Sequence, residues 1–294
     1  MKTKLIYCDG DSWTAGDMIN PKLKHITDVN HADNSSYRLP KVWPSDLEKL
    51  TNIKVINNSR AGSSNDGIVR RVIDNISYLT EKNESKDLFV IIGFSSPERK
   101  DFYYRSLDKH RNWWETMYPN QLDQKFDYDP KLLNFYETYI KVFWNPEEYI
   151  RRYIEQILFL HYFLKGNNIK HKFFNAFYEE IPGEESPFQK AVSGIGLGMF
   201  SDMDVMDDLT SQHTIHKSTI QKFSKIYKDI FIEESFRNHI RKKINATEEE
   251  WNRINGGFLQ DKVRKYFEKD GHHPNRESHK LWAKFVYENI EDLL

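Results

Sequence analysis

Five consecutive apolar residues, Leu88-Phe89-Val90-Ile91-Ile92, constrain the fold of this chain more than any other stretch. The run is too short for a helix and too continuous for a strand with one wet face, so it reads as a strand buried on both sides. Such strands belong to the middle of parallel sheets, whose crossovers lay helices over both faces. Two weaker runs precede it, Leu5-Ile6-Tyr7-Cys8 and Val55-Ile56, and a fourth follows from Ile169 to Phe177. Between the runs, apolar residues recur at helical spacing. Val42, Trp43, Leu47 and Leu50 form one set around Pro44, and Ile68, Val69, Val72, Ile73, Ile76 and Leu79 form a second. The start signal Asn145-Pro146-Glu147-Glu148 opens a third, through Tyr153, Ile157, Leu158, Leu160 and Phe163. This alternation predicts one α/β/α layered domain over residues 1–294, on a central parallel sheet of about five strands.

Two regions interrupt the rhythm. Residues 98–168 are crowded with rings, from Phe102, Tyr103 and Tyr104 through Trp113 and Trp114 to Phe143 and Trp144. They read as a mostly helical, aromatic-rich insertion or cap, since the rings would otherwise form an exposed patch; such a patch also permits a homo-oligomer. Residues 181–256 read as further loop and helical elaboration. Asp202, Asp204, Asp207 and Asp208 lack the glycine and distal glutamate of a calcium loop, helical patterns resume at 215–244, and Thr247-Glu248-Glu249-Glu250 forms a capping box. The segment from Asp17 to Leu39 is polar and without period, and is expected to run over the surface. A last helix is expected over 276–291.

Forty-three basic against forty-four acidic residues give a net charge of −1, so no global field draws the chain to nucleic acid or anionic lipid. The one cysteine, Cys8, falls within the first strand and reads as a small buried hydrophobe. No segment approaches the roughly 18–20 apolar residues of a membrane span, and the apolar run after Lys4 is too short for a signal peptide. A soluble cytoplasmic protein, without nucleic-acid or membrane partners and without a cofactor, is the expectation.

The chemistry is expected where the two ends of the chain meet. The first strand ends in Gly10-Asp11-Ser12, which delivers a serine to the carboxyl edge of the sheet, where open α/β folds bind ligands. Near the other end stands Asp270-Gly271-His272-His273-Pro274-Asn275. In an acyl-transfer site a histidine takes the serine proton as the oxygen attacks a carbonyl, and a carboxylate holds the ring in the required tautomer. Three-residue spacing from Asp270 and the following Pro274 favour His273 over His272 as the base. Asp11 is expected to hold the turn. Asp9, Asp11, Asp270, His272 and His273 are also side chains that zinc accepts, but their pattern is explained without metal. His213 and His216 read as solvated. Arg99, Arg105, Lys109 and Arg111 read as surface charges that could touch an anionic substrate group, and Met199, Met203 and Met206 fit an acyl pocket or a core.

In three separated blocks the chain resembles the SGNH or GDSL-type lipase/esterase superfamily. Gly10-Asp11-Ser12 matches the first block and implies Ser12 as nucleophile and backbone oxyanion donor. Asn58-Ser59-Arg60-Ala61-Gly62-Ser63 matches the second, with Gly62 as the oxyanion-hole glycine. Asp270-Gly271-His272-His273-Pro274 matches the last, with Asp270 and His273 completing the triad. The resemblance also implies a flavodoxin-like three-layer fold.

One block departs from the pattern. The superfamily usually carries Gly-x-Asn-Asp after its third strand, the asparagine donating to the oxyanion; here the stretch is Gly93-Phe94-Ser95-Ser96, with Ser95 at that position. Either Ser95 donates through its hydroxyl or a shifted turn, or Asn65 swings its amide into the space. Loss of one such donor is worth about 3 kcal/mol. The reading is thus a serine hydrolase of an oxygen ester, with a small acyl group on a small-molecule or carbohydrate carrier. The alternatives are an acyltransferase using the same acyl-serine, and a binding or structural protein of the same fold with weak or lost chemistry.

Overall fold

A computed structural model of the chain describes residues 3–20, 22, 32–82, 86–106, 111–117, 130–143, 146–176, 217–245, 265–268 and 273–294. Strand β1 (Leu5–Asp9) pairs in parallel with β2 (Lys54–Asn57) on one side and β3 (Leu88–Phe94) on the other. Strand β6 (Lys170–Asn175) adds to the far side of β3, giving the order β2-β1-β3-β6. Every residue of β3 is buried, as a continuous apolar run in an interior strand requires. The sheet has four strands among the described residues, against the five or so expected. At the fifth position Phe231 makes only a single parallel bridge to Phe173. The four residues between the helix ending at Ile230 and the cap of the next at Ser235 are Phe231, Ile232, Glu233 and Glu234, and only the first two are apolar.

Side-chain alternation makes the three layers. Tyr7, Val90, Ile92, Phe94 and Phe173 face α4 (Asn65–Glu81), α6 (Pro146–Gly166) and α7 (Lys217–Ile230). Ile6, Cys8, Phe89, Ile91 and Phe174 face α3 (Trp43–Thr51), α8 (Phe236–Ile244) and α9 (Arg276–Ile290). Within α9, Trp282 is fully buried, stacked on Phe236 at 4.9 Å and against Phe174 at 5.1 Å. Truncating such a side chain costs about 3–5 kcal/mol, so this one ring fixes α9, and with it the loop before α9, on the sheet. The order 2-1-3 followed by a fourth strand is the doubly wound arrangement whose ligands lie outside the carboxyl ends of β1 and β3.

The aromatic insertion is not helical throughout. It opens with an antiparallel hairpin, β4 (Lys100–Ser106) and β5 (Arg111–Met117), and only then continues into α5 (Pro130–Val142). Aromatic residues favour a pleated, half-buried surface as readily as a helix face. Here Phe102, Tyr104 and Met117 pack on Leu132, Tyr136 and Tyr139, while Tyr103 and Trp114 pair across the strands at 5.2 Å on the exposed face. The polar segment after Asp17 also holds a helix, α2 (Ala32–Arg38), whose Arg38 is buried and donates to Ala15 O. With no apolar stripe, periodicity could not reveal it. In α3, Leu47 is buried but Leu50 is exposed. The 202–208 acidic group, Met199, Met203, Met206, His213, His216, the capping box at 247–250, Lys109, His272 and Asp270 lie outside the described residues.

Candidate active site

The turn after β1 is built on a close approach that only glycine allows. A Cβ on Gly10 would stand 2.5 Å from Thr14 Oγ1 and 3.1 Å from Gly93 O, so β1 can bend beside β3 only with hydrogen at this position. Asp11 then caps the one-turn helix α1 (Ser12–Ala15), its Oδ1 accepting from Trp13 N–H at 3.0 Å. Gly16, left-handed at φ 75°, closes the turn with its N–H on Ser12 O. Ser12 is thereby the first residue of a rigid turn at the carboxyl edge of the sheet. Trp13 next to it is core rather than substrate-facing, packed edge-on against Phe236 at 5.2 Å and Phe267 at 6.3 Å.

Two fully buried carboxylates flank the turn. Asp9 Oδ1 accepts from Arg71 Nη2 at 2.6 Å and from Gly10 N–H at 2.7 Å, and its Oδ2 from Tyr7 Oη at 3.0 Å. Burial pushes its carboxyl above the ordinary range, and Arg71 pulls it partly back. Arg71 Nη2 also reaches Gly10 O at 3.1 Å, so a residue of α4 fixes the strand end that carries the site. Asp11 is likewise raised by burial, against the pull of Arg99, of Trp13 N–H and of Ser95. Cys8, inside the sheet, is held as the thiol by burial and is no nucleophile.

The loop before α9 comes back to this turn. Pro274 bridges to Phe267, Glu268 N–H donates to His273 O at 2.9 Å, and Asn275 caps α9 by accepting from Glu277 and Ser278 N–H. These contacts hold His273 with its Nε2 3.5 Å from Asp17 Oδ2. Asp17 is buried and lies one turn beyond Ser12, its N–H on Ser12 O at 3.0 Å. The imidazole thus sits on Asp17, and no hydrogen bond joins it to the Ser12 hydroxyl among the described residues. Asp17 was not legible as a site residue, because nothing in its local sequence shows which distant side chain will reach it. Deeper in α9, His279 accepts from Trp43 N–H through Nδ1 at 3.2 Å, and burial lowers its pKa to about 3.

Gly62 turns the chain after β2 at φ 71°. Asn65, the first residue of α4, does not swing free. Its Nδ2 donates to Ser95 O at 3.0 Å and its Oδ1 accepts from Ser95 N–H at 2.8 Å, with both residues buried. The side chain is a clamp between the loops after β2 and β3. The Ser95 hydroxyl accepts from Arg99 Nη1 at 3.0 Å. That nitrogen also donates to Ser63 O at 3.2 Å and stands 3.7 Å from Asp11 Oδ2. Arg99 is therefore inside the candidate site and not one of a set of surface charges. Among the described residues no three His, Cys, Asp or Glu side chains converge to hold a metal ion, and no helix is long and apolar enough to cross a membrane.

Residues 26–211 match the model of a family of unknown function, DUF6071, over more than half of the chain, and the chain belongs to that family. No curated protein matches it. The solved structures similar to it include a member of the lipolytic protein G-D-S-L family from Veillonella parvula DSM 2008, at 13% identity, covering 97% of this chain and 96% of that one with a TM-score of 0.38. Another is the psychrotrophic esterase EstA from Pseudoalteromonas sp., at 12% identity, 99% and 98% coverage and a TM-score of 0.41. A third is phospholipase A1 from Streptomyces albidoflavus NA297, at 10% identity, 97% and 99% coverage and a TM-score of 0.35. At such identities and scores the chemistry has to be read from this chain's own side chains.

Proposed function

We propose that this member of DUF6071 is a serine-dependent hydrolase of oxygen esters, with Ser12 as nucleophile and His273 as general base. The observation that supports it best is the return of His273, from the far end of the chain, to within 3.5 Å of Asp17 on the loop that follows Ser12. In the first step the Ser12 oxygen bonds to the acyl carbon while its proton passes to His273 Nε2. The tetrahedral centre then expels the alcohol, which leaves with that proton. Water attacks the acyl-serine, gives its proton to the same nitrogen, and the carboxylic acid departs as Ser12 is restored.

The imidazole has to turn from Asp17 toward Ser12 for this sequence, as catalytic hydrogen bonds tighten when substrate binds. Asp17 then stabilises the imidazolium that carries the proton. In this reading the backbone N–H groups of Ser12 and Gly62 donate to the oxyanion, and Asp270 takes the other ring nitrogen. The substrate is an ester of a small acyl group with a polar alcohol.

The test is steady-state hydrolysis of an activated acetate ester. Ser12→Ala and His273→Ala are each expected to lower kcat by about a thousandfold or more, with thermal midpoints close to that of the wild type. Either variant retaining a tenth of the wild-type rate would overturn the assignment of its residue.

A further inference from the structure

The position where the superfamily pattern carries a donating carboxamide is Ser95 here, and the contacts around it show what the chain has put in its place. Asn65 cannot supply the amide without breaking its two bonds to the Ser95 backbone. The Ser95 hydroxyl is held by Arg99. Through one nitrogen, Arg99 touches a residue next to each group that would form an oxyanion hole. It reaches Ser63 beside Gly62, Ser95 itself, and Asp11 beside Ser12. Its own backbone is anchored, since Arg152 Nη2 of α6 donates to Pro97 O at 2.8 Å and to Arg99 O at 3.0 Å. Its side chain is 19% exposed, so its charge acts in a site partly shielded from water.

We propose that Arg99 takes the part of the missing carboxamide, as a positioning residue that holds the Gly62 and Ser95 loops at fixed separation and keeps a positive charge beside the oxygen that becomes negative in acyl transfer. This rests on the hydrolase reading above and assigns a residue that the superfamily pattern does not contain. Stabilisation of this kind acts on the transition state and not on bound ester, so it appears in kcat and leaves KM nearly untouched. A merely structural bridge has a different signature, because a neutral donor of similar length can bridge as well as a charged one.

The experiment uses the full chain and compares Arg99→Gln, Arg99→Lys and Arg99→Ala on the activated acetate ester, with thermal midpoints recorded alongside. Arg99→Gln is expected to lower kcat by about a hundredfold with KM within about twofold, and Arg99→Lys to keep at least about a tenth of the wild-type rate. Guanidinium at a concentration well below denaturing is expected to raise the rate of Arg99→Ala by about fivefold or more, and to leave the wild type unchanged. Equal rates for Arg99→Gln and Arg99→Lys, or no rescue of a folded Arg99→Ala by guanidinium, would overturn the proposal. Wild-type protein that neither turns over the ester nor is labelled at Ser12 by a phosphonate would instead remove the hydrolase reading, and this proposal with it. An active wild type with equally active Arg99 variants removes this proposal alone.

Discussion

Replacing Asn65 by aspartate changes one NH2 group to an oxygen and so reverses half of a two-way bond between the loops that frame the candidate site. In the native protein Nδ2 donates to Ser95 O at 3.0 Å and Oδ1 accepts from Ser95 N–H at 2.8 Å. Asn65→Asp keeps the shape and the acceptor but sets a second carboxylate oxygen against a carbonyl. The buried carbonyl loses its donor at a cost of about 1–3 kcal/mol. A buried, poorly compensated charge adds about 3 kcal/mol more, so about 4–6 kcal/mol is expected at pH 8. Asn65→Ala leaves both Ser95 groups unmet and costs about 2–6 kcal/mol, with no proton involved.

The two substitutions therefore separate with pH. A protonated carboxyl can donate to Ser95 O as the amide did, so the folded state raises the pKa of the new acid above its unfolded value. Its stabilising form is present at low pH and is lost as pH rises through the folded pKa. The stability difference between Asn65→Asp and Asn65→Ala should move by up to about 1.4 kcal/mol per pH unit over that range. Urea unfolding of both variants from pH 4.5 to 8 measures it. A difference that stays flat with pH, or an Asn65→Asp protein as stable as the wild type at pH 8, would refute the clamp.

Other expectations follow from buried charge. Arg71→Met strands Asp9, so we expect a loss of about 3–5 kcal/mol at neutral pH, partly recovered as pH falls and the carboxyl takes a proton; a loss below about 1 kcal/mol in urea unfolding would mean that Arg71 does not hold the strand end. His279 has its pKa lowered to about 3 in the fold from an ordinary 6.5, so the unfolded chain binds a proton below pH 6.5 that the folded chain refuses. The stability tied to it is present above about pH 6.5 and declines toward pH 3 by up to about 1.4 kcal/mol per unit. His279→Gln should flatten the wild-type stability profile in that window, and parallel profiles for the two proteins would contradict the assignment.

What could be read from sequence divides along physical lines. The strand at Leu88–Phe94 was legible because burial on both faces requires an unbroken apolar run, and α4 because its apolar residues repeat at helical spacing. The hairpin at 100–117 was not, since its rings suit a strand or a helix equally and only the packing of Phe102 and Tyr104 on α5 decides. Helix α2 carries no apolar stripe, and the bond from its Arg38 to Ala15 O is one that no local pattern announces. At the site, glycine at position 10 and the cap Asp11 follow from local chemistry. Asp17 meeting His273, Asn65 clamping Ser95, and Arg71 neutralising Asp9 depend on contacts between segments far apart in the chain, which residue types alone do not encode.

The central claim is that the Ser12 hydroxyl becomes covalently acylated with help from the far end of the chain. It is met most directly by exposing the wild type to an ester-like phosphonate and mapping the adduct by mass spectrometry. One phosphonyl group per chain, on the peptide carrying Ser12 and lost in Ser12→Ala, is the expected result. An adduct that survives Ser12→Ala, or that maps to another residue, would contradict it.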